Sequence, residues 1–211
     1  MIAAVSQGII LGALLQGITV QGRQYGGGWW DWLTPFSLLT GASVLIGYAL
    51  LGATWLIMRT EGTLQMHAAR YARWLGAGTV GFIIAVSAAT PFLSNAYFQR
   101  WFAWPSVLIA AQVPLMVAVA TFLFFRSLAY GYERAPFLIA LLLFLLCFVG
   151  LGISMFPYIV PDQVTIWQAA SPESSQVFML VGASVLIPII LAYTGYAYWV
   201  FRGKVGTDGY H

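Results

Sequence analysis

The chain has 211 residues, 61% of them hydrophobic and only 7% charged, with a mean hydropathy of +0.85 and a net charge of +3. So few charges cannot cover the surface of a soluble domain of this size. The small basic excess is confined to particular connections, so it speaks of membrane topology rather than nucleic acid.

Six apolar stretches predict membrane helices over Ile2–Val20, Pro35–Met58, Leu75–Tyr97, Ser106–Leu128, Pro136–Val160 and Val177–Phe201. Each approaches or exceeds the ~20 apolar residues that a helix needs to cross hydrocarbon. The runs are continuous and lack the alternation of membrane barrel strands, so the expected fold class is all-α and polytopic. Short connections make successive helices antiparallel neighbours. None of the six carries Lys, Arg, Asp, Glu or His in its central part. Membrane proteins that move ions or bind metals keep such groups in the bilayer, and this chain keeps none. No soluble domain, internal repeat or signal peptide is expected.

In the first span, Gly8, Gly12 and Gln16 share one helix face. Small residues at that spacing allow close backbone approach, and Gln16 beside them reads structurally as an interhelical hydrogen bond or functionally as a quinone contact or part of a water path. Gln112 in the fourth span admits the same two readings. Gly41, Gly47 and Gly52, then Gly76, Gly78 and Gly81, mark further close-packing faces. Pro91, Pro114 and Pro188 lie within spans and should kink or break them. His67 lies in the basic connection Arg59–Trp74, without the apolar pocket or second ligand that haem requires. Within that connection, 64–75 is expected to form a separate interfacial helix. Cys147 is the one cysteine, sits in the most hydrophobic span, and is expected to pack. No catalytic residue and no metal ligand is assigned.

Basic residues set the direction. Of nine, seven fall in the connections after the second and fourth spans and in the C-terminal tail: Arg59, Arg70, Arg73, Arg126, Arg134, Arg202 and Lys204. Arg23 and Arg100 fall on the opposite side. The positive-inside rule then places both termini in the cytoplasm. The segments with Trp29, Trp30 and Trp32, with Trp101 and Trp104, and with Trp167 should face outside.

Four segments in order carry a resemblance. The first is Gln16-Gly17, then Gly22-Arg23, then Asp31-Trp32-Leu33-Thr34-Pro35-Phe36. The second runs from Gly52 through Trp55, Met58 and Arg59 to Gly62. The third is Met155-Phe156-Pro157-Tyr158 leading into Val164-Thr165-Ile166-Trp167. The fourth is Pro188 to Thr194, then Tyr198-Trp199 and Phe201-Arg202-Gly203-Lys204. Together they resemble subunit II of cytochrome bd-type quinol oxidases, particularly the cyanide-insensitive subtype, along nearly the whole chain.

The resemblance implies a subunit of a bacterial plasma-membrane complex that oxidises quinol, reduces oxygen to water and adds to the proton gradient. In that family the haems b558, b595 and d belong mainly to subunit I, which subunit II packs against and stabilises. Gln16 and Gln112 would then be lipid or quinone contacts. Family members have about eight helices in two four-helix bundles, and this chain starts at what looks like the third. Residues 1–58 would be the remnant of the first bundle and 75–201 the second. The His-Trp-Asp-Gly-type segment ahead of that point, whose Asp is credited with a proton path, has no counterpart here. Gln168 stands where relatives often have Asp. The start is read as a fragment or a misplaced start codon, against a split gene or a truly short subunit. A different class, a small permease for a neutral solute, is motivated by the prolines and glutamines, but lacks the buried carboxylate of most coupled transporters.

Overall fold

The computed structural model describes residues 1–22, 24–201 and 203–204. Arg23 and Arg202, two of the residues counted for topology, lie outside the described residues. Among the described residues, five helices are long and apolar enough to cross a membrane. They are α2 (Pro35–Arg59), α3 (Gly62–Ala89, extended by a 3-10 turn to Phe92), the α5–α6 pair (Ser106–Ala110 and Gln112–Ala129), α7 (Ala135–Met155) and α9 (Glu173–Val200).

The remaining expected span is shorter than the sequence suggested. Helix α1 covers Ile2–Leu15, 14 residues, or about 21 Å against the ~30 Å of hydrocarbon. Gln16 ends it, and Gly17 follows at φ +86°, a left-handed conformation that suits glycine. The chain then turns into a two-residue hairpin, β1 (Val20–Gln21) on β2 (Gln24–Tyr25). Entry into α2 is strongly signalled. The Thr34 hydroxyl accepts from the Ser37 amide and Ser37 answers on the Thr34 amide, while Pro35 takes the first turn.

The third span also differs from expectation. Residues 64–75 are no separate helix; they are the first turns of α3, which runs on unbroken for 28 residues. Ala68, Ala72, Gly76 and Thr79 form one buried face through the charged part, and this packing outweighs the surface charges of Arg70 and Arg73. The helix tightens at Thr90–Phe92, where Pro91 lies, so Tyr97 falls in a separate helix, α4 (Asn95–Phe102). Pro114 likewise cannot donate to the Ala110 carbonyl, and the fourth span breaks at Ala111 between α5 and α6. Pro188, by contrast, sits inside an uninterrupted α9. The fifth span stops at Met155, and Tyr158–Val160 pairs with Val164–Thr165 as β3 and β4 before the short α8 (Ile166–Ala169).

Helix α2 is the hub. It packs on α1, α3 and α7. Leu50, Ala53 and Ile57 of α2 meet Ala68 and Ala72 of α3, Phe124 and Leu128 of α6, and Ala140 of α7 in one core. A second cluster, Ala120 with Leu143 and Leu146, joins α6 to α7. Helix α9 stands apart: none of its described residues is buried. It is held at its last turns, where the Tyr198 ring meets Trp55 edge-on at 5.9 Å. There the Arg59 guanidinium, over the Trp55 ring at 4.7 Å, also donates to the carbonyls of Phe201 and Gly203.

The loops at the tryptophan-rich end are tied together by side chains. Gln163 accepts from the Val20 amide at 2.8 Å and donates to the Ile18 carbonyl at 2.7 Å. Ser94 donates to Asp162 at 2.7 Å. Replacing Gln163 with alanine removes both bonds to the first hairpin. At an exposed site each is worth about 1 kcal/mol or less. The expected result is roughly tenfold faster amide exchange at Val20, with exchange in α2 unchanged.

Candidate functional site

Polar side chains concentrate where α1 meets the start of α2. The Thr34 hydroxyl donates to Gln16 Oε1 at 2.5 Å, and the Ser37 hydroxyl donates to the Trp32 carbonyl at 2.6 Å. Tyr97 of α4 reaches the same place and donates to the Leu15 carbonyl at 3.1 Å. Its ring packs with Leu15 and Phe36. Burial pushes the Tyr97 phenol up to about 12, with the Asp162 carboxylate adding to the rise and Arg100 opposing it. The phenol therefore stays protonated and is a fixed donor.

The interhelical hydrogen bond expected of Gln16 is present. Replacing Gln16 with leucine should lower stability by about 1 kcal/mol. That appears as a drop of a few degrees in melting temperature in detergent, and an unchanged melt would count against the bond. Gln112 is placed differently. It opens α6, is exposed, and makes no side-chain hydrogen bond among the described residues. The two glutamines are not brought together: Gln16 is engaged with the start of α2, and Gln112 faces outward.

A residue whose surroundings the sequence did not reveal is Arg100. It is half-buried, and its guanidinium donates to the Ser154 carbonyl at the end of α7. Beside it the Trp101 indole donates to the Ser154 hydroxyl at 3.1 Å. Arg100, Ser106, Ile109, Gly152, Ile153 and Phe156 line a cavity of about 390 Å³, open to the surface. The signal in the sequence was the pattern of Tyr97, Phe98, Arg100, Trp101 and Phe102. It is too polar to be the end of a span and amphipathic as a short helix, with Tyr97 inward and Phe98 and Phe102 outward.

The arginine-rich end holds a second polar group. Lys204 bonds Glu133 at 2.6 Å and lies 3.5 Å from Glu61, while Gln65 links the Ile57 carbonyl to Glu133. The hydrogen bonds from Lys204 and Gln65 hold the Glu133 carboxyl below its usual range. The charged residues of this group are solvent-accessible, so this is a latch and not a proton relay. His67 is exposed on α3. Cys147 does not pack inward as expected: it is exposed on α7, because Leu143 and Leu146 occupy the face turned to α6. Among the described residues no three His, Cys, Asp or Glu side chains come together to hold a metal ion.

These observations describe a membrane protein whose spans carry packing surfaces and, among the described residues, no cluster of metal-ligating side chains. A family model, that of cytochrome bd terminal oxidase subunit II, matches residues 1–201. The chain belongs to the cytochrome bd terminal oxidase subunit II family. Among curated relatives it is similar to the cytochrome bd-I ubiquinol oxidase subunit 2 of Escherichia coli strain K12, 27% identical over 94% of this chain and 61% of the relative. The corresponding protein of Escherichia coli O157:H7 gives the same values. A probable cytochrome oxidase subunit 2 of Haemophilus influenzae is 24% identical over 95% of this chain and 62% of its own length. The chain thus spans about three fifths of the length of these bd-type relatives. For this family member, the all-α polytopic fold expected from the sequence is the fold observed.

Proposed function

We propose that this chain is a non-haem-ligating membrane subunit of a cytochrome bd-type quinol:oxygen oxidoreductase, and that it supports a haem-bearing subunit I. The observation that carries the reading is the family membership combined with spans whose central parts hold no Lys, Arg, Asp, Glu or His. The work of such a chain is to present shape. The unburied length of α9 supports this, because a largely apolar 28-residue helix with no buried residue among those described suits a surface covered by lipid or another subunit. In this reading the haems b558, b595 and d sit in subunit I, and the chain alone is not catalytic. Residues 1–58 belong to one four-helix bundle and 75–201 to a second. Both termini face the cytoplasm of a bacterial cell.

Gln112, outward-facing, and Gln16, whose Nε2 has no partner among the described residues, are proposed as donors to a lipid or quinone oxygen. Replacing each with leucine and measuring retained quinone tests that part. The reading as a whole is tested by purifying a tagged chain from its own host. It should bring down a larger subunit with the absorbance of haem d. A folded, colourless homo-oligomer would overturn it.

A further inference from the structure

Helix α4 lies between the end of one span at Phe92 and the start of the next at Ser106. It turns Tyr97 inward and leaves Phe98 and Phe102 48% and 60% exposed, with Trp104 at 77% just beyond. Aromatic rings at that position mark the headgroup level of a bilayer. The cavity beside α4 opens at this depth. Its polar lining residues are Arg100 and Ser106, and the rest are Ile109, Gly152, Ile153 and Phe156.

Arg100 is spare in charge. It spends one hydrogen bond on the Ser154 carbonyl, and among the described residues no carboxylate lies within ion-pair distance of it. The Asp162 carboxylate accepts from the Ser94 hydroxyl. A half-buried guanidinium without a counter-charge, at headgroup depth and above an apolar wall, is complementary to one amphiphile: a phosphate diester carrying acyl chains.

We propose that this cavity binds one anionic phospholipid of the phosphatidylglycerol type. Its phosphate sits on Arg100 and Ser106, and an acyl chain runs along Ile109, Ile153 and Phe156. The site depends on the geometry at this end of the helices and not on the redox role proposed above, so it stands or falls separately.

The test is native mass spectrometry of the chain purified in its complex, stripped of loosely held lipid and titrated with phosphatidylglycerol or phosphatidylethanolamine. Two variants are compared with the parent. Arg100→Gln removes the charge and should lower retained phosphatidylglycerol about tenfold, as expected for one charge-assisted hydrogen bond. Gly152→Leu leaves Arg100 intact. Gly152 lines the cavity and a Cβ there meets nothing within 4 Å, so a leucine at this position is expected to occupy cavity space at little cost to the fold. It should lower retention as much, and it decides the matter where Arg100→Gln does not assemble. Millimolar inorganic phosphate should not displace the lipid, since the apolar wall gives phosphate alone nothing. The proposal is overturned where Gly152→Leu retains phosphatidylglycerol like the parent, where phosphatidylethanolamine is held equally well, or where free phosphate competes.

Discussion

A leucine at Gly8 is expected to detach α1 from α2 and to lower the stability of the chain by about 3 kcal/mol or more, the upper range for overpacking. A Cβ built at Gly8 would lie 2.5 Å from the Thr40 carbonyl oxygen and 2.7 Å from the Gly41 Cα, both backbone atoms that cannot rotate away. The only relief is separation of the helices. That separation also breaks the bond from the Thr40 hydroxyl to the Gly8 carbonyl, 2.8 Å long and buried. Gly12 repeats the geometry one turn on, with its Cβ position 2.7 Å from the Ser37 Cα. Because α1 packs chiefly on α2, it has little else to hold it. The control is Gly52→Ala in the same α2: a Cβ there meets nothing within 4 Å, so the change should be neutral or stabilising by up to about 1 kcal/mol. Thermal melts in detergent read both. A Gly8→Leu protein melting with the parent would show that the α1–α2 seam is not the close contact described.

That seam was legible in the sequence, and the reason is physical. Glycines four apart on an apolar helix have little use except to admit another backbone, so Gly8 and Gly12 announced a contact. The start of α2 was legible too, because an apolar run opening on proline suits a helix's first turn. Four ordered segments made the family legible as well. Charge position was a poorer guide to helix boundaries. Arg70 and Arg73 read as a connection, yet Ala68, Ala72 and Gly76 keep the helical period beneath them. A helix of 28 residues can carry its charges beyond the hydrocarbon while remaining one helix. Hydropathy also says nothing about which apolar face meets protein. Cys147 and the apolar length of α9 lie outside the core, because lipid and protein interiors reward the same side chains. Arg100 escaped notice for the opposite reason. Counted as a topology marker, it showed its partner, the Ser154 carbonyl 54 positions away, only once the chain was folded.

The second large effect is expected at Phe124. Its ring is fully buried where α2, α3, α6 and α7 converge, with Phe125 edge-on at 5.4 Å. It lies over Gly76, where an added Cβ would stand 2.5 Å from Phe124 Cε1. Phe124→Ala should therefore cost about 3–5 kcal/mol, the range for emptying a core aromatic site. Gly76→Ala alone should cost about 1–3 kcal/mol, because the ring is hemmed in and cannot yield. The two changes should not add. With the ring gone, the methyl at position 76 enters the space it left, and Gly76→Ala becomes neutral or mildly favourable through its helix propensity. The cycle should thus show a coupling of about 1–3 kcal/mol, with the double variant more stable than the sum of the singles predicts. Simple additivity would mean that Phe124 and Gly76 do not share one space. The four-helix convergence would then have to be held by Leu50 and Ala140 without the ring between them.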